Sequence, residues 1–230
     1  MYSLLDIKGQ CLITTAATAE LVKLSENAFR DVNIAFANEL SVICDNLDIN
    51  PWEAIKLANH HPRVNILQPG PGVGGHCIAI DPWFIIDSAP KTTELIRTAR
   101  KVNDAKPGYL ANKIISSISM QSTKVIACLG LSYKADIDDL RQSPAIEVIR
   151  QLAQYLKMDK EAKILAVEPN INVLPTELQK IQNLTLTNIE DALNEADTIV
   201  LLVDHKLFKE IDQNRLRKKL IFDARGIWQI

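Results

Sequence analysis

Between Thr18 and Asp48 the chain contains neither glycine nor proline and is rich in Ala, Leu, Glu and Asn. Such a stretch reads as one helix of roughly 30 residues, about 45 Å long at the usual rise per residue. Its apolar residues are Leu21, Leu24, Ala28, Val32, Phe36, Leu40, Ile43 and Leu47, joined by Phe29, Ile34 and Ala35. They cover more than one stripe, and a helix that is apolar on several sides must be buried on several sides. This predicts a central all-helical region in which the long helix packs on neighbours and on a second copy of the chain. Asn50-Pro51-Trp52-Glu53 opens the next helix with Asn as N-cap, Pro at N1 and Glu at N3. After a Gly/Pro-rich loop, Thr93–Met120 reads as helical again, with Pro107-Gly108 as a point of bending.

The rhythm changes at residue 124. Lys124–Leu129, Ile164–Val167, Leu184–Leu186, Thr198–Val203 and Leu220–Phe222 read as strands. Helices run from Ser143-Pro144 to about Leu156 and from Ile189 to Ala196. Alternating strand and helix predicts a doubly wound parallel α/β, Rossmann-like region. The expected boundaries are 1–15, 16–122 and 123–230. The first segment, with a turn at Gly9 and a strand-like Cys11–Thr14, reads as the last piece of something upstream.

Composition narrows the function classes. With 26 basic and 28 acidic residues the net charge is −2, which favours neither nucleic acid nor an anionic membrane surface. No apolar run approaches the ~20 residues that span a bilayer, and the first residues lack a signal-peptide pattern. Cys11, Cys44, Cys77 and Cys128 form neither a disulfide framework nor a CxxC pair, so a cytoplasmic location and no metal site are expected.

The segment Gln68-Pro-Gly-Pro-Gly-Val-Gly-Gly-His-Cys77-Ile-Ala-Ile-Asp81-Pro holds Gly70, Gly72, Gly74 and Gly75. Gly70, Gly72 and Gly75 satisfy G-x-G-x-x-G, but that fingerprint needs a strand before it and a helix after it. Pro69 and Pro71 interrupt the turn, and Pro82 stands where a helix should be running. A glycine loop that brings backbone N–H groups close to a ligand and exposes one thiol fits better. The alternative is that Cys77 is a small buried hydrophobe, as cysteines in strand or helix runs usually are. That reading is taken for Cys11, Cys44 and Cys128; for Cys77, beside Gly-Gly-His and Asp81, spacing leaves both open. Lys23, Asn27 and Arg30 share one face of the long helix. A solvated stripe would be the ordinary explanation, but the surrounding apolar coverage favours a lined cleft.

Three blocks carry a resemblance. Ala19 to Glu39, containing Lys23 and Asn27, is one. His61-Pro-Arg63 through Cys77 is the second. Leu131-Ser-Tyr133-Lys134 to Ser143-Pro144, with Phe222-Asp-Ala-Arg225-Gly-Ile-Trp228, is the third. In this order they resemble the UDP-glucose/GDP-mannose dehydrogenase family, in its branch acting on N-acetylated sugars, from about residue 9 to the C-terminus. The resemblance implies a dimerising helical domain and a UDP-binding α/β domain. The family's NAD-binding first domain is expected to lie outside this chain.

The implied chemistry is an NAD-dependent four-electron oxidation of a UDP-sugar's primary alcohol to a carboxylate, serving surface polysaccharide synthesis. UDP-N-acetyl-D-mannosamine is the expected substrate, with the N-acetylglucosamine sugar left open. By resemblance Cys77 is the nucleophile, Lys23 and Asn27 stabilise the reacting oxygen, and Asp81 orients water or the lysine. Arg30, His61, Arg63 and Gly74 contact substrate, Arg63 in the neighbouring subunit's site. Tyr133, Lys134 and Arg225 hold the nucleotide-sugar, and Arg141 reaches the dinucleotide. Arg225 stands where some relatives have Lys, which keeps charge but not hydrogen-bond geometry. The competing readings are a dimeric UDP-sugar-binding module without catalysis and a free-standing dinucleotide domain. The last is weakened because Gly130-Leu-Ser-Tyr-Lys134 has one glycine where the fingerprint needs three.

Overall fold

The computed structural model describes residues 12–121 and 123–228. The long helix α1 spans Ala16–Asn46, starting two residues before the sequence expectation because Thr15 caps it, accepting the Thr18 N–H at 3.2 Å. It ends in a Schellman turn: Asp48 adopts φ 56°, and the Ile49 N–H reaches the Cys44 carbonyl at 2.9 Å. The strand expected over Cys11–Thr14 is not formed at Leu12–Thr14, where no strand among the described residues offers a ladder; Cys11 lies outside the described residues.

Helix α2 covers Pro51–Ala58, with the Asn50 side chain accepting the Trp52 and Glu53 N–H groups as expected. Helix α3, Asp81–Ser88, corrects the reading of Pro82 as a barrier, since proline in the first turn needs no amide partner. Helix α4 runs through Pro107 as one element, Glu94–Ser119.

Helices α1 and α4 lie side by side in the same sense, because their partners climb together. Asp31 pairs with Arg100, Asn38 with Asn103, Ser41 with Lys106 and Asp45 with Tyr109. The buried face of α1 is therefore small and polar, whereas Val22, Phe29, Phe36, Ile43 and Leu47 stay exposed on it. Burial pulls the Lys106 pKa down to about 8, although Asp45 acts in the opposite direction.

From Val125 onward the chain builds a five-stranded parallel sheet in the order β3-β2-β1-β4-β5. The strands are β1 Val125–Leu129, β2 Lys163–Val167, β3 Leu184–Leu186, β4 Thr198–Leu201 and β5 Leu220–Asp223. Ile126 stands in register with Ile164 on one side and Thr198 on the other. The central strands β1, β2 and β4 are buried almost throughout and read as continuous apolar runs, whereas the edge strands β3 and β5 are only partly buried. The two intervening helices foreseen are also present: α5 spans Pro144–Leu156 and α7 Ile189–Glu195, with short α6 (Thr176–Gln179) and α8 (Lys206–Lys209) beside them. One core layer places Ile149 and Leu152 of α5 with Ile114 and Ile118 of α4. The other gathers Leu193, Ile199, Phe208 and Trp228. Packing of α4 on α5 joins the helical part to the sheet, and the fold class is the expected one, helices followed by a Rossmann-like α/β region.

Candidate active site

In an open parallel sheet, ligands bind beyond the carboxyl ends of the strands, where the strand order reverses. Here the order reverses between β1 and β4. Tyr133 and Lys134 follow β1, Asp204 follows β4, and Arg225 follows β5. The turn after β5 is set by Asp223, whose Oδ1 accepts the N–H groups of Arg225 and Gly226 at 2.8 and 2.7 Å. Arg225 Nε donates to Asp204 Oδ1 at 2.9 Å. Burial works against the Asp204 charge, but Arg225, and more weakly Lys209, outweigh it and hold the carboxyl below its usual range.

The glycine loop is seated directly on this edge. The Gly70 N–H donates to Asn38 Oδ1 at 2.9 Å, and the Arg225 guanidinium occupies the space a side chain at 70 would need. At Gly74 a Cβ would lie 2.8 Å from Tyr133 Cβ, and at Gly75 one would lie 2.7 Å from the Tyr133 ring. Gly75 also adopts φ 80° and donates its N–H to the Arg141 carbonyl at 3.1 Å, so only glycine fits there.

Two residues on, Cys77 is exposed, whereas Cys44 and Cys128 are buried as the sequence suggested. The Cys77 carbonyl accepts the Asp81 N–H at 2.8 Å, turning the chain into α3. There Asp81 Oδ2 accepts Asn27 Nδ2–H at 2.6 Å, with Asn27 only 6% exposed. Arg141 is clasped by Asp139, with Nε at 3.0 Å from both carboxylate oxygens. Asp139, through its hydrogen bonds and its charge, holds the Arg141 pKa above its ordinary value.

The structure thus brings together Cys77, Gly74, Tyr133, Arg141 and Arg225, and separately joins Asn27 to Asp81. It does not join Lys23 to that pair. Lys23 lies one turn before Asn27 but is exposed, with Nζ 3.2 Å from Glu26. Arg30 and Lys134 are exposed too. His61 and Arg63 occupy the exposed turn after α2, where His61 Nδ1 accepts the Arg63 N–H at 3.3 Å. A groove of about 880 Å³ runs between the helical and α/β parts, lined by Val73 and Ile80 of the loop, Trp83, Arg100, Arg141 and Pro144.

Sequence reasoning missed Asp204, Glu168 and His205. The signal was present: each is a polar residue directly after, or within a few residues of, an apolar parallel strand, at the carboxyl edge where ligands sit. Among the described residues no helix is long and apolar enough to cross a membrane.

Comparison with known proteins bears on this arrangement. Residues 17–105 match the model for the UDP-glucose/GDP-mannose dehydrogenase family central domain, and residues 127–230 match that family's UDP binding domain. The chain is 56% identical to an NDP-N-acetyl-D-galactosaminuronic acid dehydrogenase of Ralstonia solanacearum, over 97% of this chain and 51% of the relative. It is 54% identical to a UDP-N-acetyl-D-mannosamine dehydrogenase of Campylobacter jejuni, over 91% and 51%. Among solved structures, the UDP-D-ManNAc dehydrogenase of Pyrococcus horikoshii superposes with a TM-score of 0.82 at 35% identity, over 97% of this chain and 51% of that one. The chain therefore spans about half the length of the curated relatives it matches. Two consecutive domain matches, together with a glycine loop seated on the carboxyl edge of the sheet, show that the chain belongs to the UDP-glucose/GDP-mannose dehydrogenase family.

Proposed function

We propose that this chain carries the nucleotide-sugar site and the nucleophile of an NAD-dependent dehydrogenase that oxidises UDP-N-acetyl-D-mannosamine to its uronate. The observation that carries the reading is the seating of the glycine loop on Tyr133 and Arg225, with the exposed Cys77 thiol just beyond it. The mannosamine choice is supported by the names of relatives such as that from Campylobacter jejuni.

Arg225 supplies a planar fork of donors and Lys134 a point charge for the diphosphate, while Tyr133 walls the site. Cys77 Sγ adds to the carbon of the aldehyde intermediate as a thiohemiacetal, and the acyl group is then carried as a thioester until water releases the acid. Asn27, held by Asp81, and Lys23, after turning away from Glu26, stabilise the oxygen that becomes negative in that addition. Arg30, His61, Gly74 and Arg63 complete the substrate contacts, Arg63 in the neighbouring copy's site. NAD, when bound, supplies the electron acceptor for both oxidations. Arg141 suits its pyrophosphate, being a cation on the wall of the 880 Å³ groove beside the Cys77 loop.

Calorimetry with UDP and with UDP-N-acetyl-D-mannosamine tests the binding. The 230-residue chain is expected to bind both, with UDP carrying most of the affinity because the cationic contacts belong to the sheet edge. NADH absorbance is expected to stay flat for these residues alone, since no three-glycine fingerprint between strand and helix orients the cofactor, and orientation is worth ~7–11 kcal/mol of barrier. Absence of UDP binding would remove the nucleotide-sugar reading, and multiple turnovers would remove the argument on orientation.

A second copy of the chain is the proposed partner. Val22, Phe29, Phe36 and Ile43 recur every seven residues on α1 and are 52%, 70%, 58% and 46% exposed. An unpartnered stripe of this size in water is unfavourable, and pairing two such helices buries both. Sedimentation at micromolar concentration should report a dimer, and Phe29→Glu with Phe36→Glu should shift it to monomer. A folded wild-type monomer under those conditions would contradict the assignment.

A further inference from the structure

The backbone between β1 and α5 that carries Tyr133 and Lys134 is anchored at two points by buried side chains with no role in the scheme above. Glu168, just past β2, has a side chain with no exposure, and its Oε2 accepts the N–H groups of Leu131 and Ser132 at 2.8 and 3.0 Å. Its Oε1 accepts the Asn170 backbone and side-chain N–H groups at 3.2 and 3.1 Å.

His205, fully buried after β4, reaches the other end of the segment. Its Nδ1 accepts the Asp136 N–H at 2.9 Å, so the ring proton sits on Nε2, which donates to Glu168 Oε2 at 3.0 Å. Between the two anchors the Ser132 hydroxyl donates to the Lys134 carbonyl at 2.7 Å. Burial opposes the Glu168 charge, but the hydrogen bonds from His205, Leu131 and Ser132 prevail and keep its carboxyl below the usual range. A buried carboxylate with donors converging on both oxygens specifies one local conformation more than it adds stability. That conformation matters because Tyr133, inside the anchored segment, fills the space over Gly75, two residues before Cys77.

We propose that Glu168 and His205 are positioning residues: they fix residues 131–136 so that Tyr133 supports the Cys77 loop and Lys134 stays at the nucleotide site. This rests on the reading that Tyr133 and Lys134 hold the nucleotide-sugar. The two ring nitrogens of His205 have different tasks, which substitutions can separate. An asparagine oxygen can replace Nδ1 as acceptor for Asp136, whereas a glutamine amide can replace Nε2 as donor to Glu168.

The test measures UDP affinity of the 230-residue chain, well below each variant's melting point, alongside amide exchange of Asp136 by NMR. His205→Ala should weaken UDP binding by about tenfold, the size expected when one buried hydrogen-bonded anchor is lost. His205→Asn should recover most of that loss, and His205→Gln should not. Asp136 exchange should accelerate in the Ala and Gln variants and remain slow in Asn. Ile199→Val, buried in the same sheet but away from the segment, should lower Tm without changing UDP affinity. If all three His205 variants lower Tm while UDP affinity stays at the wild-type value, the positioning role is overturned. If wild type binds no UDP, the proposed function fails instead, and unchanged Asp136 exchange in His205→Ala would then overturn the anchoring itself.

Discussion

On the proposed scheme, Cys77→Ser made at the matching position of an intact relative is expected to abolish carboxylate formation, by about 10³-fold or more, as removal of a nucleophile that acts with its neighbours as a unit does. A serine hydroxyl at neutral pH lacks the thiolate's nucleophilicity and would not carry the acyl group as an activated ester. Cys77 is placed for the role by its exposure just beyond the glycine loop. Cys44→Ala and Cys128→Ala, both at buried positions, should cost only about 1–2 kcal/mol of stability and leave turnover intact. Burial pushes the Cys128 pKa up to about 12, so that thiol stays protonated and unreactive. The measurement is acid product quantified by chromatography; full acid yield from Cys77→Ser would remove the residue from the mechanism.

The second large effect concerns the α1–α4 contact. Arg100 is 1% exposed and places Nη1 2.5 Å from Asp31 Oδ1, whose own side chain has no exposure, while Nη2 pairs with Asp104. Arg100→Ala should destabilise the fold by about 3–5 kcal/mol, because a buried carboxylate is left without its counter-charge. Burial already raises the Asp31 pKa against the opposing pull of Arg100, and the variant removes that pull. A carboxyl whose folded pKa exceeds its unfolded value is penalised only where the unfolded chain would be ionised. The deficit of the variant should therefore be full above the raised folded pKa and shrink as pH falls toward the ordinary aspartate range. Urea melts at pH 7 and pH 5 would show it. A deficit under about 1 kcal/mol at pH 7 would mean that water reaches Asp31.

The same contact sets the site. Asn103 Nδ2–H bonds Asp31 at 2.8 Å, Asn38 Nδ2–H bonds Asn103 Oδ1 at 2.9 Å, and the Gly70 N–H bonds Asn38 Oδ1 at 2.9 Å. Polar side chains on α1 and α4 thus reach the glycine loop, and loosening Asp31 should loosen the footing of Cys77.

Where every signal was local, the sequence was sufficient. Apolar runs bounded by turns mark β1, β2 and β4, because central strands buried on both faces are apolar almost throughout, and the shorter run Leu220–Phe222 marks β5. The Asn50-Pro51 start of α2 and the glycine loop followed by Cys77 were likewise legible from cap chemistry and glycine placement. Asn27 and Asp81 were singled out, but their 2.6 Å bond spans 54 positions, and no periodicity encodes such a pairing.

What tertiary structure alone decided is which side of each element meets which neighbour. The apolar residues of α1 suggested a helix buried by its large side chains, yet within the chain it buries Asp31, Asn38 and Ser41 and leaves Phe29 and Phe36 open. Polar side chains can occupy a core only when long-range partners satisfy them, and those partners come from α4, more than sixty positions away. Glu168 and His205 escaped notice for the same reason: one carboxylate and one imidazole acquire a function only when the order β2-β1-β4 brings their strand ends together around the segment after β1. Local pattern determined the elements and their order, and long-range hydrogen bonding determined the site.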